Sequence, residues 1–146
     1  MRTILVTNVT QYAGPGALEI LLQQGVRLVC HDASFGDKTV RDSFQSQHPG
    51  VQCLESLDPE QIVQELEKRS LQVDALVSND VYPITRADIG DIDLDNLRDT
   101  FESVFIFPVH LTQLLLPKMK AQKSGCFVFV TSARPLKPEQ GFAVPT

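Results

Sequence analysis

The sequence predicts an α/β fold built as a doubly wound parallel sheet, and three features carry the prediction. Short, continuous apolar runs recur along the chain, as strands buried on both faces require. Longer amphipathic stretches separate them. Glycine, proline and capping residues mark most of the junctions. Ile4-Leu5-Val6 reads as the first strand. Gly14-Pro15-Gly16 opens a helix in which Leu18, Leu21 and Leu22 share one face at i, i+3 and i+4, and Gly25 supplies its stop. Val26 to Val29 form a second strand. A helix over 37–47 follows, with Val40 and Phe44 turned inward and Pro49-Gly50 ending it.

Val51 to Leu54 is a weak third strand. Asp58-Pro59-Glu60 is a strong helix start: a capping acceptor, then proline where no donor is needed, then a carboxylate near the positive dipole end. Ile62, Val63 and Leu66 give that helix its core face. Ala75-Leu76-Val77 and Cys126 to Val130 are the fourth and fifth strands. Between them a long helix is predicted over 94–116, capped by Asp93 or Asp95, bent at Pro108, with Leu97, Phe101 and Val104 as core positions. Strands and helices alternating in this way give a Rossmann-like sheet in the order 3-2-1-4-5. The pattern reads as one domain over 1–146, the N-terminal portion of such a fold, truncated after strand five.

Composition narrows the function classes. The 146 residues are 42% hydrophobic and 21% charged, as in ordinary globular domains. No apolar run is long enough for a membrane helix, and Asn8, Thr10 and Gln11 interrupt the N-terminus before a signal-peptide core is built, so a cytoplasmic protein without a membrane partner is expected. A formal charge of −5 without a basic tract argues against nucleic acid. Lys118, Lys120 and Lys123 precede Gly125 at a helix end, where cations meet the negative end of the dipole. Cys30, Cys53 and Cys126 lack ligand spacing and read as buried, reduced thiols. His31, His48 and His110 are equally scattered, so no metal site is expected.

Ligands of doubly wound sheets bind beyond the carboxyl ends of the strands, which directs attention to four turns. The first runs from Thr7 and Asn8 through Tyr12 to Gly14. Gly14 can serve close helix packing, but Tyr12 stands where a dinucleotide turn carries its middle glycine, and its ring should take volume that a cofactor needs. The second turn ends strand two with Asp32, which could accept from a ribose, cap a helix or anchor a loop. Ser78-Asn79-Asp80 ends strand four with side chains suited to bonding nearby backbone. In the fourth turn, Val130-Thr131-Ser132-Ala133, Ser132 offers a hydroxyl at the same sheet edge.

Taken together, Thr7-Asn8-Val9 with Tyr12, Cys30-His31-Asp32-Ala33-Ser34-Phe35, Val77-Ser78-Asn79-Asp80, and Lys123-Ser124-Gly125 leading to Val130-Thr131-Ser132-Ala133 resemble the short-chain dehydrogenase/reductase superfamily. Within it the chain looks more like the halohydrin dehalogenases than the nicotinamide-dependent reductases. The resemblance implies no nicotinamide cofactor, an aromatic side chain in the old cofactor site, and a small halide pocket. It implies that Ser132 hydrogen-bonds the hydroxyl of a small-molecule haloalcohol. A tyrosine, activated by an arginine four residues later, takes the proton, and the alkoxide displaces halide to close an epoxide, a lyase-type reaction. It also implies a homo-oligomer.

The sequence departs from that pattern at the tyrosine, whose expected position is Pro145, and no tyrosine follows Ser132. The chain also ends before the arginine. Thr7, Asn8, Tyr12, Gly14, Asp32 and Asn79 therefore stand as a vestigial cofactor turn. Two alternatives remain open from the residues: an oxidoreductase using NAD or NADP, and a non-catalytic homologue that keeps the fold for binding or assembly.

Overall fold

The computed structural model of the chain describes residues 1–81 and 86–131. Five parallel strands form one sheet: β1 (Thr3–Val6), β2 (Arg27–Cys30), β3 (Gln52–Cys53), β4 (Ala75–Ser78) and β5 (Cys126–Phe129). Their order is β3-β2-β1-β4-β5, as the alternating pattern predicts. Register places Leu5 beside Val29 on one side and Leu76 on the other, so β1 is central.

Strand parity divides the core. Leu5, Val29 and Leu76 join one buried cluster with Ile62 and Leu66 of α3 (Pro59–Lys68) and Leu111, Leu115 and Met119 of α5 (Phe107–Gln122). Their neighbours Val6, Leu28 and Cys30 project to the opposite face, where they meet Leu18 of α1 (Gly14–Leu22), and Phe44 of α2 (Lys38–Gln47) packs against that cluster. Asp58 caps α3, its carboxylate accepting from the N–H groups of Glu60 and Gln61, as the Asp58-Pro59 pair predicts. Asp37 caps α2 in the same way.

Several expectations need correction. Leu22 and Val40 are exposed, because the apolar faces of α1 and α2 are narrower than their spacing suggests: Leu18 is buried and Leu21 and Phe44 are partly buried. Cys30 and Cys53 are buried, but Cys126 is exposed at the start of β5, one of the two edge strands of the described sheet.

The long helix differs most from expectation. It is built from α4 (Leu94–Phe101), a wide π-helical stretch over Glu102–Ile106, and α5. Pro108 lies two residues past the π stretch, so a wide turn stands where the proline would otherwise break the backbone ladder. Leu97, Phe101 and Val104 are exposed rather than core residues, since neither α4 nor the π stretch buries a side chain. Lys123 ends α5 in the left-handed region (φ 53°), and Lys118 pairs with Glu67 of α3 at 2.6 Å, so this lysine cluster serves the helix end and a helix–helix contact.

Candidate functional site at the carboxyl edge of the sheet

The turn after β1 is held by its neighbours. Thr7 donates its backbone N–H to Val77 and receives the Asn79 N–H on its hydroxyl at 3.1 Å. The Asn79 amide nitrogen reaches back to the carbonyls of Asn8 (2.9 Å) and Gln11 (2.8 Å). Asn79 is fully buried, so these bonds pin the turn from below. The stabilising role expected of the Ser78-Asn79-Asp80 turn is what these contacts provide. Asp80 accepts from Ser78 Oγ (2.6 Å) and Thr7 Oγ1 (2.9 Å), while burial holds its carboxyl above the usual range.

Asn8 and Tyr12 both adopt φ 49°, the left-handed region that glycine occupies without strain. The backbone has therefore kept a glycine-type path through Tyr12 although the residue carries a side chain. That side chain is 64% exposed. Gly14 cannot be replaced so freely. A Cβ there would stand 2.4 Å from the Val9 carbonyl oxygen and 2.8 Å from that of Asn8, both backbone atoms. Gly14→Ala is expected to destabilise the protein by about 1–3 kcal/mol, as overpacking does, measurable as a lower midpoint in urea unfolding. Gly16→Ala, inside α1 with nothing within 4 Å, should instead raise that midpoint slightly, as alanine for glycine in a helix does.

Asp32, at the end of β2, ties two turns together. Its Oδ2 accepts the N–H (2.9 Å) and hydroxyl (2.8 Å) of Thr10, and its Oδ1 accepts the N–H (3.0 Å) and hydroxyl (2.7 Å) of Ser34. Burial acts to raise its pKa, but the four hydrogen bonds outweigh it and the carboxyl is held below its usual range. Four donors fill the lone-pair positions of one carboxylate. Of the roles open to Asp32 in the sequence, cap and loop anchor are the ones its contacts fill.

The same edge holds a cavity of about 330 Å³ lined by residues from the ends of β2, the turns after β1 and β4, the start of α3 and the π stretch. Among the described residues, Asn8 is the one sequence-predicted site residue that lines it. His31, Asp80, Glu102 and His110 also contribute, and sequence reasoning did not bring them together. The available signal was position: His31 follows directly on a strand with three buried residues, where a polar side chain meets the carboxyl-edge crevice. Its ring stacks on Phe107, with centroids 5.4 Å apart. Ser132 and Pro145, and with them the expected catalytic pair, fall outside the described residues. Among the described residues no group of three His, Cys, Asp or Glu side chains could hold a metal ion, and no helix is long and apolar enough to cross a membrane.

The model of the short chain dehydrogenase family matches residues 2–144. The chain belongs to the short-chain dehydrogenase family. Among solved structures it is similar to a dehalogenation enzyme, at 39% identity and a TM-score of 0.89, over 99% of this chain and 59% of that one. It is also similar to a halohydrin dehalogenase bound to ethyl (2S)-oxiran-2-ylacetate, at 30% identity and a TM-score of 0.90, over 97% of this chain and 57% of that one. A short-chain dehydrogenase from Streptomyces avermitilis shares the fold at 23% identity and a TM-score of 0.84, over 99% of this chain and 54% of that one. No match is found among curated proteins. The chain thus spans less than two thirds of the length of the relatives it resembles. The higher identity to the dehalogenating structures agrees with the resemblance inferred from the turns.

Proposed function

We propose that this short-chain dehydrogenase family member is of the halohydrin-dehalogenase type, acting without a nicotinamide cofactor. The observation that carries the reading is the closed hydrogen-bond set of Asp32. NAD needs an acid at this strand end to accept from its ribose, and NAD and NADP alike need glycine in the first turn to let backbone approach their phosphates. Asp32 already accepts four protein donors, and Tyr12 carries a Cβ and a ring where the turn would need neither. The residues present do not fit NAD or NADP.

In the proposed reaction the hydroxyl of a vicinal haloalcohol, held by Ser132, loses its proton to a base. The alkoxide oxygen then forms a bond to the neighbouring carbon as the carbon–halogen bond breaks, giving an epoxide and a halide ion. The same reading carries over the small-molecule substrate, the halide and homo-oligomerisation. Pro145, at the position expected for the tyrosine base, favours a second reading: a non-catalytic homologue that keeps the remodelled turn.

Two measurements test the proposal. Calorimetric titration with NADH and NADPH to millimolar concentration is expected to give no binding heat, and saturable binding would restore the oxidoreductase alternative. Halide release from a vicinal haloalcohol separates the remaining readings, since turnover above the uncatalysed rate supports the dehalogenase and its absence at every pH supports the non-catalytic homologue.

A further inference from the structure

The cavity at the sheet edge has a chemistry of its own. His31 is only 5% exposed, it lines the cavity, and neither its Nδ1 nor its Nε2 has a hydrogen-bond partner. A buried ring with both nitrogens unsatisfied is uncommon, because each loses its bonds to water without replacement. A ligand in the cavity would supply them. Burial lowers the His31 pKa to about 4, so at neutral pH the ring is uncharged and offers one donor and one acceptor.

The surrounding charges choose among ligands. Asp58, Asp80 and Glu102 line the cavity, and among its described lining there is no lysine or arginine. His110, the other imidazole of the lining, stands 3.8 Å from the Glu60 carboxylate. With His31 neutral, the charge carried by the described lining is negative. Such a lining favours a cation over halide, phosphate or carboxylate groups. Leu57, Ile106 and Phe107 supply apolar wall, and a volume of about 330 Å³ is at the small end of ligand pockets.

We propose that this cavity binds a small organic cation, an ammonium head group on a short apolar body. The head group donates to the carboxylates of Asp80 and Glu102 and to the acceptor nitrogen of His31, and the body lies against Leu57, Ile106 and Phe107. Asp80, already desolvated, gains a counter-charge that its two hydroxyl donors do not provide.

Three probes of similar shape test the charge selection on the intact chain: phenethylammonium, 2-phenylethanol and phenylacetate. Phenethylammonium is expected to bind about tenfold more tightly than the alcohol, with phenylacetate weakest, and to shift the His31 ring resonances in an NMR titration. Glu102 is exposed, so Glu102→Gln should fold normally; it is expected to weaken phenethylammonium several-fold while leaving the alcohol unchanged. Equal affinity for the three probes, a preference for phenylacetate, no binding of phenethylammonium, or binding that leaves the His31 signals in place would each overturn the proposal. None of these outcomes depends on dinucleotide binding or halide release.

Discussion

Replacing Asp32 with alanine is expected to lower stability by about 3–5 kcal/mol, a larger loss than that expected of Gly14→Ala. The side chain is 3% exposed and accepts four hydrogen bonds, two of them from backbone N–H groups. Removing the carboxylate leaves the Thr10 and Ser34 N–H groups without their acceptor and frees the first turn from the turn after β2. Asp32→Asn keeps one amide oxygen and turns the other acceptor into a donor facing donors, so it should fall between alanine and wild type. The sign with pH follows from the depressed pKa. The stabilisation is present above the unfolded-state value and is lost only as pH falls through the lower folded-state value. Urea unfolding at neutral pH, with an unchanged m-value, measures the effect. A loss under about 1 kcal/mol would mean that solvent replaces the carboxylate easily, and the case against a bound ribose at Asp32 would weaken with it.

The sheet was legible because strand signals here are local. Ile4-Leu5-Val6 and Ala75-Leu76-Val77 are continuous apolar runs whose alternate residues feed the two buried clusters. Asp58-Pro59 announces α3 within two residues. The first turn was legible in part: Tyr12 stands out in the sequence, but its glycine-like φ, shared with Asn8, is a backbone property that residue type alone conceals. Periodicity also fails to say what a helix face meets. Leu97, Phe101 and Val104 repeat at helical spacing, yet all three are exposed. The π stretch was hidden for a related reason, since Glu102 to Ile106 contains neither glycine nor proline and the one proline cue comes two residues later. The cavity was least legible of all. Its walls come from the ends of β2 and β4, from α3 and from the π stretch, and nothing in the sequence near His31 shows that Asp80 and Glu102 will stand around it.

Mild acid is expected to destabilise the protein by up to about 3 kcal/mol through His31 alone. Burial lowers its pKa from 6.5 to about 4, against the attraction of Asp32 and Glu65, which act to raise it. The unfolded chain therefore takes up this proton before the folded one does. Between the two pKa values the unfolded state binds more protons, so stability rises with pH. The contribution is fully present above the unfolded value and is lost as pH falls toward the folded one.

Asp80, raised by burial, has the opposite sign: as pH approaches the carboxylate range the folded state takes its proton first, which offsets part of the loss at the acid end. The slope due to His31 is consequently clearest in the upper part of the window. His31→Phe keeps an aromatic ring facing Phe107 and removes two nitrogens without partners, so at neutral pH it should change stability by less than about 1 kcal/mol. Urea unfolding across the window should then show a steep profile for wild type and a shallow one for the variant. Parallel profiles would mean that the folded protein protonates His31 as readily as the unfolded chain, and so that water or a neighbouring group reaches the ring. A cavity with a charged imidazolium would in turn repel an organic cation, so the two experiments constrain the same side chain from opposite directions.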